Sequence, residues 1–332
     1  MEPDPFATLT QVAGGYCLPR SLHVVADLGV ADALDEKPRT TTDLAADVDA
    51  HPDALGRVLR LLAAHDIFAL QGETVRHTPA SRLLRTDHPQ SMRAFARMFG
   101  LSVFWTTFGE MDHAVRTGAP ATTEAFPEGF WGYLAEHPEA GRVFNAAMQA
   151  KAQGAIAGIL ATYDFSHFQT IADIGGGHGH LLHAILDAVP TATGVLFELP
   201  HVIAEVADVR SERLTLQAGD FFRDALPSCD AYLLMEIIHD WGDVESIAIL
   251  RAVRQAASPG ATVLIVEAIV PDQPGPAWAK MLDIHMLTLL GGRQRTQTEY
   301  AALLTQAGFR FMRQIDTGAG VAILEAQTAS DG

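Results

Sequence analysis

Four groups of residues in the second half of the chain carry side chains that can do chemistry, and each follows an apolar run. The first is Asp173-Ile-Gly175-Gly-Gly177-His-Gly179-His180, which follows Ile171-Ala172 and leads into Leu181-Leu182. Glycines in a strand-to-helix turn leave backbone N–H groups bare and let a ligand approach, beside a helix N-terminus that favours polar or negative groups. Asp173, Gly175 and Gly177 are therefore candidate binding residues; an ordinary glycine-rich turn is the other reading. The second group is Glu198, closing Gly194-Val-Leu-Phe-Glu. A carboxylate there can accept two hydrogen bonds from a ribose diol; it can equally be a solvent-facing strand end. The third is Gly219-Asp220-Phe221. Asp220 can accept from an adenine amino group and Phe221 can stack on the ring, or the aspartate can simply shape a turn. The fourth is Ile238-His239-Asp240-Trp241. Neutral imidazole is available as a base near neutral pH, which suits removal of a hydroxyl proton during attack. A lone histidine is more commonly a core or surface residue. Asp240 beside it is assigned to binding the acceptor of that attack.

These residues need a scaffold that brings strand ends together. Apolar strand candidates are Thr170–Ile174, Gly194–Glu198, Arg213–Gln217, Asp230–Met235, Ala261–Glu267, Phe309–Ile315 and Val321–Gln327, most of them separated by helical stretches. That rhythm predicts a mostly parallel α/β sheet with helices on both faces and an antiparallel closing pair. Ligands bind such sheets at the carboxyl ends of the strands, where all four groups fall. The glycine spacing departs from a dinucleotide fingerprint, because His180 stands where the third glycine belongs. A nicotinamide-dependent oxidoreductase is disfavoured accordingly.

The first third reads differently. Apolar residues at helical spacing run from Thr10 to Leu34, Thr40-Thr-Thr-Asp43 caps a short helix, and Leu55, Val58, Leu59, Leu61 and Leu62 share a helix face. Ile67–Leu70 and Thr74–His77 flank Gln71-Gly-Glu73 as a hairpin. This is the order of a winged helix. Arg57 and Arg60 lie where a DNA-reading helix would place them, but the segment lacks a basic stripe, so a protein–protein module is the better reading. Residues 91 to about 153 are helical and rich in Phe, Trp and Met. Most of these are core; Trp105 and Met148 are also candidates to line an aromatic pocket. The expected division is a winged-helix-like domain over 1–90, a helical linker over 91–160 and a Rossmann-like domain over 161–332.

Composition narrows the classes further. A 332-residue chain with 48% hydrophobic residues and net charge −17 is globular and poorly suited to nucleic acid. No apolar run reaches membrane-spanning length, and Met1-Glu-Pro-Asp-Pro does not resemble a signal peptide. Cys17 and Cys229 read as reduced thiols, so the expected location is cytoplasmic. His178, His180 and His183 cluster, but no Cys or carboxylate pattern completes a metal site, and none is expected.

Taken in order, Leu28-Gly-Val-Ala-Asp-Ala-Leu34, the Asp173–Gly179 loop, Phe197-Glu-Leu-Pro-His-Val202, Ala218-Gly-Asp-Phe-Phe222, Ile238-His-Asp-Trp241 and Gly291-Gly-Arg-Gln-Arg-Thr-Gln-Thr-Glu-Tyr300 resemble the O-methyltransferases that act on small aromatic molecules. Acetylserotonin, caffeate and bacterial antibiotic-tailoring methyltransferases belong to that family. The resemblance covers nearly the whole chain. It implies an S-adenosylmethionine-binding Rossmann-like domain and a winged-helix domain that forms a homodimer. It also implies a small aromatic acceptor, no metal, and S-adenosylhomocysteine as product. By position, Gly175, Glu198, Asp220 and Phe221 match cofactor contacts and His239 matches the general base. Glu267 matches a carboxylate that orients the base, and Ile284 and His285 match acceptor-pocket positions. The sequence departs from the family in two places. Gln294 stands where the family often has a glutamate near the base, and Leu234-Met235-Glu236 replaces a run that often carries a lysine.

Overall fold

The computed structural model describes residues 4–329 other than 207, 209 and 210; Met1 to Pro3 of the terminus read above lie outside them. The chain splits into two compact units, Met1–Thr106 with Trp131–Lys151, and Thr107–Phe130 with Ala152–Gly332. The helical stretch 91–160 is thus shared between both units rather than standing as a separate linker.

The first unit is helical with a small sheet. Strands β1 (Arg39–Thr40), β2 (Phe68–Gln71) and β3 (Thr74–His77) pair in the order β1-β3-β2, all antiparallel. Thr40 caps the helix Thr41–Asp47 by accepting the Asp43 N–H at 3.1 Å. Leu55, Leu59 and Leu62 of the helix Pro52–Ala63 enter a core with Val25, Leu34, Leu44, Phe68 and Val75. The stretch from Thr10, read at helical spacing with a turn at Gly29, is broken before that turn. It ends at Ala13, resumes over Cys17–Leu28 and turns at Gly29 in the left-handed region. Glycines 14 and 15 at the first break carry the reason, since glycine is a poor helix residue. Val12, within that apolar stretch, is 73% exposed.

The second unit holds strands β4 (Thr170–Ile174), β5 (Thr193–Glu198), β6 (Leu214–Ala218), β7 (Ala231–Met235), β8 (Thr262–Glu267), β9 (Phe309–Asp316) and β10 (Ala322–Thr328). Their order is β6-β5-β4-β7-β8-β10-β9, with β10 antiparallel to β8 and β9 and the remaining neighbours parallel. Side chains alternate between two cores, as the strand period requires. Ile171, Leu196, Leu233, Leu264 and Ile323 face one; Ile174, Phe197, Tyr232, Leu234, Val263 and Ile265 face the other. Burial on both faces explains why these strands read as unbroken apolar runs. Each such side chain contributes roughly 1.5–3 kcal/mol of burial energy.

At the strands' amino ends, Asp230 accepts from the Thr170 N–H at 2.8 Å, the Thr170 hydroxyl at 2.9 Å and the Gln169 N–H at 2.9 Å. That clasp sets β4 against β7. The opposite ends of the same two strands lead to the glycine turn after Asp173 and to the turn that holds His239.

Candidate active site

Asp173, 1% exposed, is the penultimate residue of β4, and after Ile174 the chain turns through Gly175, Gly176 and Gly177 into the helix His180–Ala188. The turn needs glycine twice over. Gly175 and Gly177 have φ of 68° and 57°, and a Cβ on Gly176 would lie 2.3 Å from the Asp173 carboxyl. Gly177 has nothing within 4 Å of its Cβ direction, so open space faces that side of the loop. Asp173 Oδ1 is buried and, among the described residues, lacks a hydrogen-bond partner. Burial, and then the nearby Glu198 charge, push the Asp173 carboxyl up to about 7.

Glu198 ends β5 beside this loop. Its Oε2 accepts the Gly177 N–H at 3.2 Å and its Oε1 accepts the Leu199 N–H at 2.7 Å. Beyond β6, Gly219 lets the chain pass over Phe197, whose ring lies 2.5 Å from the position of an added Cβ. Asp220 shapes its own turn, accepting the Phe222 N–H at 2.9 Å. Phe221 stands edge-on to Phe222 and Trp241, with centroids 4.8 and 6.0 Å away. Its Cε1 is 3.7 Å from the Gly175 Cβ direction. The candidates Asp173, Gly175, Gly177, Glu198, Asp220 and Phe221 thus gather at the carboxyl ends of β4, β5 and β6.

The strand β7 leads to His239, the candidate base. It is followed by Glu236, held at φ 54°, and by a 3₁₀ turn, Ile238–Asp240, that buries His239. Glu267, 0% exposed at the end of the neighbouring β8, meets His239 with both carboxylate oxygens. One accepts its backbone N–H at 3.2 Å and the other lies 3.1 Å from Nδ1. Gln294 brings its side-chain amide against the same Nδ1. Gln294 is itself placed by its N–H donating to Asp283 Oδ1 at 2.8 Å. Asp240 Oδ1 stands 3.3 Å from His239 Nε2. The imidazole therefore lies between two carboxylates, one at each ring nitrogen.

Ile284 and His285 sit on the helix Trp278–Leu289. Ile284 is exposed; the half-buried His285 packs edge-on to Phe108 with centroids 4.9 Å apart, and burial lowers its imidazole to about 4. A neutral ring is what that site holds near neutral pH. Trp105 and Met148 belong to the other unit. Trp105 donates from its indole to His23 Nδ1 at 3.4 Å, with the Arg20 guanidinium 5.3 Å from its ring. In the glycine loop, His178 faces Glu205 at 3.2 Å. Among the described residues no three metal-ligating side chains cluster. Nor is any described helix long and apolar enough to cross a membrane.

Sequence reasoning overlooked Asp283 and Arg295; Phe108 it read as one of the central aromatics that are mostly core.

Comparison with known proteins decides the family. The O-methyltransferase domain profile matches residues 108–310, and the O-methyltransferase dimerisation domain matches residues 10–87. The chain belongs to the O-methyltransferase family. Its relatives in the family include a phenazine O-methyltransferase of Lysobacter antibioticus, 39% identical over 96% of this chain and 95% of that protein. They also include a phenazine-1-carboxylate N-methyltransferase of Pseudomonas aeruginosa, 34% identical over 93% of each. A methyltransferase of calicheamicin biosynthesis, solved with SAH bound, superposes with a TM-score of 0.88 at 32% identity, covering 99% of this chain and 100% of that one. The expected Rossmann-like methyltransferase domain and N-terminal dimerisation domain are both present in this O-methyltransferase-family chain.

Proposed function

We propose that this enzyme transfers a methyl group from S-adenosylmethionine to a hydroxyl of a small aromatic acceptor, with His239 as general base. The acceptor is an antibiotic or other secondary-metabolite precursor of polyketide or naphthoate type. The observation that carries the reading is the buried Glu267–His239 pair at the carboxyl edge of the sheet, one strand away from the Asp173–Gly177 loop. A base held in this way serves an acceptor that must lose a proton, which favours a hydroxyl over an amine acceptor. The family holds N-methyltransferases too, so the reading depends on His239 and not on family membership.

The residues present suit the cofactor. The unpartnered Asp173 Oδ1, the open side of Gly177 and the carboxylate of Glu198 form a polar cradle at a helix start. Asp173 and the loop amides would hold the polar amino-acid part, Glu198 the ribose, and Asp220 with Phe221 the adenine. When bound, S-adenosylmethionine supplies a methyl carbon already activated by a positive sulfur. The chain's own work is to orient the acceptor, exclude water and accept a proton. Orientation can contribute roughly 7–11 kcal/mol and a positioned base roughly 10²–10⁴-fold. Nε2 of His239 takes the hydroxyl proton, while Glu267 keeps the other ring proton on Nδ1. Asp240, Ile284 and His285 are proposed to line the acceptor side.

A homodimer joined through the N-terminal unit is part of the proposal. Phe6, Leu9, Val12 and Tyr16 of that unit are 63–79% exposed. Light scattering checks the dimer. Methyl transfer is tested with labelled S-adenosylmethionine, a panel of hydroxynaphthoates and hydroxyphenazines, and the mass of each product. The variant H239A should bind S-adenosylhomocysteine normally by calorimetry and lose turnover. Undiminished turnover in H239A would remove the base from the scheme.

A further inference from the structure

The mechanism above leaves one buried cation unused. Arg295 is 1% exposed and heads the fully buried side chains by size. Burying a guanidinium is costly unless each donor is matched, and apolar side chains of like volume are often no less stable in such places. Here the donors are matched. Nε donates to Asp243 Oδ1 at 3.0 Å. Nη1 donates to the carbonyls of Ile238 at 3.2 Å and Arg293 at 3.3 Å. Nη2 donates to the Trp241 carbonyl at 2.9 Å, Asp243 Oδ1 at 2.8 Å and Ser246 Oγ at 3.3 Å. The Tyr300 ring lies 5.9 Å from its Cζ.

The choice of partners carries the argument. Ile238 and Trp241 are the two residues that bracket His239-Asp240. One rigid, planar group therefore holds both ends of the turn that presents the imidazole. The backbone of the same segment grips the turn's middle, since the Arg293 N–H donates to the His239 carbonyl at 2.8 Å. It also reaches the other half of the pair, because the Arg295 carbonyl accepts the Val270 N–H at 3.0 Å, three residues beyond Glu267. Ser246, fully buried, adds contacts of 3.4 Å from its hydroxyl to the carbonyls of Ile238 and Trp241.

We infer that Arg295 is a positioning residue for His239, stapling the turn so that Nδ1 stays on Glu267 and Nε2 stays presented. The inference rests on the reading of His239 as the base. Arg295 touches neither the acceptor nor the cofactor in this scheme; it acts through the turn. Lysine cannot replace it, because a single ammonium cannot span both carbonyls and Asp243 in one plane.

The test uses the full-length protein with S-adenosylhomocysteine bound and ¹⁵N-labelled histidine. The variants are R295M, which keeps the volume without donors, and R295K, which keeps the charge without the planar fork. His239 signals are assigned by their loss in H239A. In the wild type the ring nitrogens should report one tautomer, with the proton on Nδ1. In both variants they should move toward the average of two tautomers, while S-adenosylhomocysteine affinity stays within about threefold and kcat for an accepted phenol falls about 10²-fold at unchanged KM. If R295M does not fold, R295K alone carries the test. A folded variant with the wild-type nitrogen pattern overturns the staple. Altered nitrogens in R295K together with full turnover in H239A would instead sink the base reading and leave the staple standing.

Discussion

Glu267 meets His239 twice, through the backbone N–H at 3.2 Å and through ring Nδ1 at 3.1 Å, from one fully buried carboxylate. The ring's orientation and the turn's position are thus referred to the same group. A carboxylate at Nδ1 keeps the proton on that nitrogen and leaves the Nε2 lone pair for a substrate proton. A proton arriving at Nε2 also finds Asp240 Oδ1 at 3.3 Å, so the imidazolium forms between two negative charges. The variant E267Q keeps the shape and removes the charge. Its expected outcome is a fall in kcat of roughly 10²–10⁴-fold, with cofactor affinity preserved. Labelled-methyl turnover alongside calorimetry checks this, and a kcat within a few-fold of wild type would contradict it.

Asp173 links pH to stability and, under the proposed assignment, to cofactor binding. Its carboxyl is pushed up from 3.8 to about 7 by burial first and the Glu198 charge second. Below the unfolded value both states hold the proton and its contribution is fully present. As pH rises through the window from 3.8 to about 7, the unfolded chain releases the proton and the folded chain keeps it, so stability falls. The slope is at most about 1.4 kcal/mol per pH unit, and D173N should remove it. Urea unfolding of both proteins across the window, taken as a difference, isolates the contribution. Under the proposed assignment, affinity for the cationic cofactor rises with pH through about 7 in the wild type and stays flat in D173N. Parallel curves for the two proteins in both experiments would remove Asp173 from the site.

The strands and the residues at their tips were legible because a parallel sheet, buried on both faces, writes itself as apolar runs ending in polar residues. The expected Ala261–Glu267 and observed Thr262–Glu267 differ by one residue. The glycine loop was legible because only glycine fits its φ values and the Gly176 approach to Asp173. What brings Gln294 to His239 came only through the family resemblance, because those residues are separated by 55 positions and meet only in the folded chain. Arg295 was invisible for another reason. An arginine in a polar loop reads as solvated, and nothing local says that carbonyls from Ile238 and Trp241 will close over it. The break after Ala13 was written in Gly14-Gly15, yet the apolar periodicity across it outweighed the glycines in a sequence reading.

Gly292 permits the closest approach in the site. A Cβ there would fall 2.2 Å from the His239 carbonyl oxygen and 2.5 Å from the Asp240 carbonyl carbon. Neither is the far end of a flexible side chain, so the turn or the loop must move. In G292A the base shifts relative to the acceptor, and turnover should fall about 10²-fold. The melting temperature should fall too, while affinity for S-adenosylhomocysteine, held mainly across β4, β5 and β6 under the proposed assignment, changes little. Kinetics and calorimetry on the same preparation check the pair of outcomes. Wild-type turnover in G292A would mean that the turn tolerates displacement and that its tight packing does not serve catalysis.

Gln294 offers the sharpest test of charge at the base. Its amide lies against Nδ1 in company with Glu267, and an amide can orient an imidazole without stabilising its positive form. In Q294E a third carboxylate joins the imidazole, beside Glu267 at Nδ1. Opposite charge favours the protonated ring, so the acidic limb of the pH–rate profile should move upward by about 1–3 units. The sign follows because the base must be neutral to act, and a ring that holds its proton more tightly stays protonated to higher pH. At pH values above that limb kcat should hold or rise, since the imidazolium formed in the step is better stabilised. Two buried carboxylates sharing one imidazole also repel, so the protein without cofactor should melt earlier than wild type. A pH–rate profile with an unmoved acidic limb, in a Q294E protein that folds, would show that His239 does not change protonation during turnover.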